Sequence, residues 1–239
     1  MSGDVKITWL GHAATRIDAA GRVILIDPFL DQNPAAKTEQ KDLDQVDLML
    51  ISHGHFDHMA DVLPIAQRLH PDIIANFEIC AYLQSKGVEN CTGMNTGGTV
   101  DWNGVRVTMT DAVHSSGITD GDNIIYGGIA GGYVLCFPDG FTVYHAGDTD
   151  VFASMQLIGE RFHPDVALLP IGGHYTMDPT GAAQAVRLLG VKNVIPIHYG
   201  TWEPLTGRPD DLKNASQYVP DLNVIALDPG QSVSQEQIS

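Results

Sequence analysis

Residues 53–58 read His53-Gly54-His55-Phe56-Asp57-His58, three imidazoles and a carboxylate in six positions, directly after the apolar run Leu48-Met49-Leu50-Ile51. A short, wholly apolar run of this kind reads as a strand buried on both faces. The polar cluster therefore sits at a strand end, where a rigid scaffold presents side chains in concert. Imidazole nitrogens and carboxylate oxygens are the ligands that borderline-soft divalent cations prefer. Crowded imidazoles repel one another when protonated, and a bound cation removes that repulsion by requiring neutral rings. The alternative, a polar loop with incidental histidines, leaves the crowding unexplained.

Three further segments place a single candidate ligand after a strand-like run. His114 follows Val105–Asp111, Asp148 follows Phe141–Tyr144 within His145-Ala146-Gly147-Asp148-Thr149, and His198 follows Val194-Ile195-Pro196-Ile197. Each taken alone is equally a hydrogen-bonded structural residue at a strand end. Only their order along the chain gives them weight.

Composition excludes several classes. With 239 residues, 44% hydrophobic and 18% charged, the chain is long enough for a sizeable core and is not globally disordered. No stretch of eighteen apolar residues exists, which excludes a spanning helix, and Met1–Lys6 lacks the basic-then-apolar layout of a secretory signal. These readings predict a soluble, cytoplasmic protein. The formal charge of −16 repels polyphosphate backbones, so nucleic acid is not an expected partner, whereas a small molecule is. Two divalent cations would offset a quarter of that charge, all of it inside one cleft. The cysteines Cys80, Cys91 and Cys136 form no Cys-x-x-Cys pair and are expected as core or half-buried thiols, with neither a thiolate zinc site nor a disulfide framework. A homo-oligomer is the base-rate expectation, with nothing in the sequence bearing on it.

Pattern and punctuation predict strands at Val5–Leu10, Arg22–Ile26, Asp47–Ser52 and Ile73–Asn76, and helices from Asp57 or His58 to Leu69 and over Glu78–Lys86. The middle is strand- and turn-rich: Gly104–Thr110, Gly131–Phe137 and Phe141–Tyr144, with Pro138-Asp139-Gly140 as a hairpin turn and Ser115–Asn123 as a loop. Alternation then returns with a helix over Val151–Arg161, a strand at Asp165–Leu169, a helix at Pro179–Leu189, and strands at Asn193–Pro196 and Asn223–Leu227, the last being the final one. Asp31–Asp44 reads as an excursion loop. Both halves run strands first and helices after, which predicts one domain spanning residues 1–239, an α/β four-layer αββα sandwich.

In order, His-x-His-x-Asp-His, a lone His, Gly-Asp and a second lone His resemble the metallo-β-lactamase superfamily, over roughly Ile7 to Gly230. Within it the chain resembles the metal-dependent hydrolases related to ascorbate-phosphate lactonase. The matching pieces are Thr8-Trp9-Leu10-Gly11-His12-Ala13, Leu25-Ile26-Asp27-Pro28-Phe29-Leu30, Tyr144–Thr149, Leu169–Met177 and Ile195–Gly200. The resemblance implies a dinuclear site: His53, His55 and His114 on one metal, Asp57, His58 and His198 on the other, Asp148 bridging. Five neutral imidazoles and two carboxylates would leave two divalent ions net positive with open positions, able to share a hydroxide near neutrality. The absence of a Cys ligand points to zinc or manganese.

The implied activity is hydrolysis of a lactone or other small ester, including that of a phosphorylated sugar acid. The alternatives are a small-phosphodiester hydrolase using the same metals and a non-enzymatic metal-binding module. Asp57 and Asp148 are expected to act in catalysis; His174, in a Gly-Gly-His-Tyr loop that the resemblance turns toward the cleft, is equally a residue that donates a proton to the leaving group or polarises the substrate and a surface loop histidine. His12 reads slightly more as structural than as cleft-facing. Asp27 is expected to orient a ligand from outside, and His145 to point away from Asp148. His70 and His163, each before a proline, read as surface residues, and Ser115 and Ser116 as loop-shaping beside His114. Tyr175, Thr176, Met177 and Tyr199 are candidate pocket residues, Phe56 shapes the pocket wall, and Glu203 lies in a loop diagnostic of no one activity.

Overall fold

A computed structural model describes residues 5–37 and 42–238; the N-terminal segment Met1–Asp4 and the centre of the Asp31–Asp44 excursion lie outside them. The chain first lays down β1 (Lys6–Gly11), β2 (Ala14–Ala19), β3 (Arg22–Ile26) and β4 (Leu48–Ile51). Helices α1 (Phe56–Met59) and α2 (Val62–Leu69) precede β5 (Asp72–Asn76), and α3 (Phe77–Ser85) precedes β6 (Cys91–Met94). Next come β7 (Thr99–Trp102) and β8 (Val105–Asp111), then β9 (Gly117–Asp120) and β10 (Asn123–Tyr126), which pair only with each other.

The second half holds β11 (Gly131–Cys136), β12 (Thr142–His145), α4 (Met155–Phe162), β13 (Val166–Pro170), α5 (Pro179–Leu189), β14 (Asn193–Ile197), α6 (Pro209–Ala215) and β15 (Asn223–Val224). The chain ends with β16 (Ser232–Ser234), which returns to pair with β1, and α7 (Gln235–Ile238). Among the described residues there are two seven-stranded sheets, ordered β16-β1-β2-β3-β4-β5-β6 and β15-β14-β13-β12-β11-β8-β7.

Strand alternation sorts the apolar side chains into layers. Ile24, Ile26, Leu48 and Leu50 face the second sheet's Val107, Leu135, Val143 and Leu168 in one core. Their neighbours Leu25, Met49 and Ile51 turn the other way, onto Val62 and Ile65 of α2 and Ile79 and Leu83 of α3. On the far side Val134, Tyr144, Ala167 and Leu169 meet Met155, Ala182, Val186 and Leu212 from α4, α5 and α6. Helix, sheet, sheet, helix: the architecture is the αββα sandwich expected. No helix among the described residues is long and apolar enough to cross a membrane.

Several expectations need correction. The helix expected from Asp57 or His58 to Leu69 breaks in two at Ala60-Asp61, because Asp61 Oδ2 accepts from the Leu30 amide at 2.6 Å and its own amide donates to Pro28. Ser115–Asn123 is no simple loop: Asp120 pairs with Asn123 across a two-residue Gly121-Asp122 turn. Asn223–Leu227 is not the last strand, and only its first two residues are β. Cys80 and Cys91 are joined in a disulfide with Cα atoms 5.6 Å apart, so only Cys136 keeps the predicted free thiol. Sequence spacing hid that pair, which forms because α3 packs across β6.

Candidate metal centre

Every element that the sequence marked ends at one edge of the sandwich. His53 follows β4 by one residue; His55 caps α1, its carbonyl accepting from the His58 and Met59 amides at 3.0 and 3.1 Å, which projects Asp57 and His58 from one turn. His114, Asp148 and His198 lie just past β8, β12 and β14. Two glycines permit the close packing. A Cβ on Gly54 would lie 2.7 Å from Ile118 of β9, and one on Gly147 (φ +63°) would lie 2.8 Å from the Ser52 Cβ. His12, Asp27 and His198, all fully buried, have positive φ of 56°, 49° and 54°, a backbone state non-glycine residues rarely take.

The seven predicted ligands come together. His53 Nε2 is 3.0 Å from His55 Nδ1, which is 3.2 Å from His114 Nε2. Asp57, His58 and His198 form a second group, which His12 joins. Asp148 lies between, its Oδ2 at 3.0 Å from His198 Nε2, 3.4 Å from His58 Nε2 and 3.7 Å from His114 Nε2. His58 Nε2, both nitrogens of His198 and Asp148 Oδ1 are buried without a hydrogen-bond partner. Buried polar atoms left in this state are costly. An oxygen- and nitrogen-rich donor set with orphaned atoms converging on one point fits divalent cations.

A second layer fixes which nitrogen each ring presents. Asp27 accepts from the Ser52 amide at 2.7 Å, the Ser52 hydroxyl at 2.6 Å and His58 Nδ1 at 2.9 Å. With its proton given to Asp27, Ser52 Oγ can only accept from His53 Nδ1, 2.9 Å away. In their neutral forms His53 and His58 would thereby present Nε2, with no proton, to the cluster. His12 does the same for Asp57: Nε2 donates to Asp57 Oδ2 at 2.8 Å while Nδ1 accepts from the Thr201 hydroxyl at 2.8 Å. Asp27 hydrogen-bonds the candidate ligand loop as expected, and His12, read as slightly more structural than cleft-facing, holds Asp57. Its signal was the Gly11-His12 turn closing β1.

Electrostatics follow from this packing. Burial and the neighbouring His198 push His12 down to about 4, so it is neutral. Burial likewise drives His53 well below its ordinary range, with His58 beside it adding to the effect. Burial alone would lower His198, but the Asp148 and Asp57 carboxylates together outweigh it and lift His198 to about 9. Against the same burial, Asp148 and Asp27 raise His58. Burial favours neutral carboxyls, yet His198 and His58 hold Asp148 well below the carboxylate range, and His58 and His12 do so for Asp57. Without a cation, protons on His58 and His198 balance the two carboxylates; a cation displaces them.

A cavity of about 500 Å³ opens onto the cluster, lined by His55, Asp57, His114, Ser115, Asp148, Tyr175 and Trp202. Trp202 was not anticipated; its only sequence cue is an aromatic two residues past the Gly200 turn. His174 is not among the lining residues: it is exposed and stands edge-on to Tyr175, ring centroids 4.5 Å apart. Ser115 Oγ reaches His55 Nε2 at 3.1 Å, while Ser116 ties the Gly54 amide to the Gly127 carbonyl, the loop-shaping role expected. His145 points away, donating from Nε2 to the Ala13 carbonyl. Tyr199 stacks on Trp9, Met177 is buried, and neither lines the cavity. His70 and His163 sit at helix ends in the left-handed conformation.

This layered fold, with the ligand pattern at one edge, defines a metallo-β-lactamase-type protein, and a family model described as a beta-lactamase superfamily domain matches residues 22–199. A UPF0173 metal-dependent hydrolase of Koribacter versatilis is 49% identical over 231 residues, covering 96% of this chain and 98% of the relative. Another from Rubrobacter xylanophilus is 48% identical over 98% of each chain. Among solved structures, Igni18, a metallo hydrolase from Ignicoccus hospitalis, has 38% identity and a TM-score of 0.86, covering 97% of this chain and 98% of that one. The chain belongs to the UPF0173 metal-dependent hydrolases, within the metallo-β-lactamase superfamily.

Proposed function

We propose that the chain, as one domain over residues 1–239, hydrolyses a lactone or other small ester at a dinuclear zinc or manganese centre. The observation that carries this reading is the set of orphaned donor atoms, on His58, His198 and Asp148, buried at the foot of the cavity. His53, His55 and His114 would hold one ion, Asp57, His58 and His198 the other, with Asp148 shared. When bound, the ions supply Lewis acidity that acidifies water and stabilises negative charge on a carbonyl oxygen.

The chain's own residues do the rest. Asp57 and Asp148, held ionised by their histidine neighbours, line the cavity and accept hydrogen bonds from an entering water. His12 fixes Asp57, and Asp27 with Ser52 fixes His58 and His53. Hydrolysis adds the water's hydroxyl to the acyl carbon and its proton to the departing alkoxide. In this reading His174 positions Tyr175 at the cavity wall instead of donating that proton itself.

The test is turnover of a panel of lactones, aryl phosphodiesters and a β-lactam by protein loaded with zinc or manganese. Lactone turnover lost in Asp148→Ala and His55→Ala is the expected result. Diester turnover without lactone turnover reverses the substrate assignment, and activity unchanged in both variants refutes the dinuclear mechanism.

A further inference from the structure

The walls of the cavity above the ligand cluster are aromatic and, among the described residues, carry no lysine or arginine. Trp202 forms one wall, seated edge-on against the His12 ring at 4.8 Å and beside Phe29 at 5.9 Å. Phe29 in turn supports Phe56, whose ring meets it edge-on at 5.5 Å and remains 43% exposed at the rim. Tyr175 lines the same cavity and is 55% exposed.

Two basic side chains, Arg208 and Lys86, are engaged elsewhere. Arg208, six residues past Trp202, donates to the Leu205 and Gly207 carbonyls, and Lys86 pairs with Asp120 on the neighbouring hairpin. A phosphate or carboxylate on the part of a substrate remote from the scissile bond would meet aromatic faces and no lysine or arginine among the described lining residues, inside a chain of net charge −16. Such a wall instead suits a flat apolar group stacked against it.

We infer that the cleft selects an uncharged substrate bearing a flat apolar acyl or leaving group, held between Trp202 and Tyr175, which set specificity. The inference rests on the hydrolase reading and narrows it away from phosphorylated sugar acids, whose phosphate meets no basic side chain among the described lining residues. A fused aryl lactone such as dihydrocoumarin is a suitable probe: water opens the ring, its hydroxyl on the acyl carbon and its proton on the phenolate.

The experiment compares zinc-loaded protein on dihydrocoumarin, its ring-carboxylated analogue and γ-butyrolactone. In parallel, calorimetry measures binding of chroman, which lacks the scissile carbonyl, and of chroman-6-carboxylate. The neutral aryl lactone should exceed its carboxylated analogue at least ~10-fold in kcat/KM, for want of a charge-assisted partner. In Trp202→Ala and Tyr175→Ala, with metal content retained, the preference for dihydrocoumarin over γ-butyrolactone should shrink roughly tenfold, mostly through KM. Chroman should bind more tightly than its carboxylate, and less tightly to Trp202→Ala.

Equal or better turnover of the anionic lactone, or a preference unmoved by either substitution, overturns the inference and leaves the hydrolase intact. Absence of all ester turnover with chroman binding that depends on Trp202 sinks the hydrolase reading instead, and supports the aromatic clamp.

Discussion

Replacing His12 tests how far catalysis depends on a residue outside the predicted ligand set. His12 is fully buried, and its Nε2–H donates to Asp57 Oδ2 at 2.8 Å. Leucine fills much of the same space without the donor. Asp57 then loses a hydrogen bond to a charged group, worth about 1.5–3 kcal/mol, and the Thr201 hydroxyl loses its acceptor as well. Loss of such an outer partner costs roughly 10–100-fold in metal affinity, and the two magnitudes agree, since a factor of ten is about 1.4 kcal/mol. Competition between the protein and a chelator at neutral pH reads the affinity of each ion. His12→Leu should weaken one of two binding events by that factor, whereas His12→Gln, which keeps an N–H donor, should recover most of it. Unchanged affinity for both ions in a folded His12→Leu variant refutes the idea that His12 orients Asp57.

Metal-free protein carries a pH signature. Asp148 and Asp57 together lift His198 from its ordinary 6.5 to about 9 against the effect of burial, so the stabilisation is complete below 6.5 and lost as pH rises through about 9. Its size is on the order of 3 kcal/mol, read as the urea midpoint of chelator-treated protein; a flat profile across that window contradicts the assignment. Asp27→Asn puts an amide donor where Asp27 now accepts three hydrogen bonds, and should cost about 3–5 kcal/mol. A loss below ~1 kcal/mol in denaturant titration would show that the network can rearrange. Cys80→Ser opens a loop eleven residues long in sequence separation and should lower stability by about 3 kcal/mol under oxidising conditions, with no effect once the parent is reduced.

What the sequence made legible was whatever repeats locally. The Leu48–Ile51 run and the cluster after it announced both strand and site, and Pro179–Leu189 appeared with its bounds intact because Asp178 caps it and Gly190 ends it. The break at Ala60-Asp61 was hidden, since it depends on Leu30, thirty-one positions earlier. β2 was missed although Ile17 alternates with the charged, half-buried Arg16 and Asp18 and Ala20-Gly21 makes its turn; the Asp120-Gly121 hairpin signal was present and passed over. The Cys80–Cys91 bond and the cavity role of Trp202 arise only from tertiary packing. The candidate ligands could be named from motif order, whereas the partners that orient them, His12 and Ser52, are set by contacts across 45 positions or by a hydroxyl whose proton direction needs Asp27 in place.

Anomalous diffraction at the zinc and manganese edges, from crystals of protein resupplied with each metal, bears most directly on the dinuclear centre. Two peaks are predicted, one against His53, His55 and His114 and the other against Asp57, His58 and His198, with Asp148 touching both. A single ion, or none at these side chains, would contradict it.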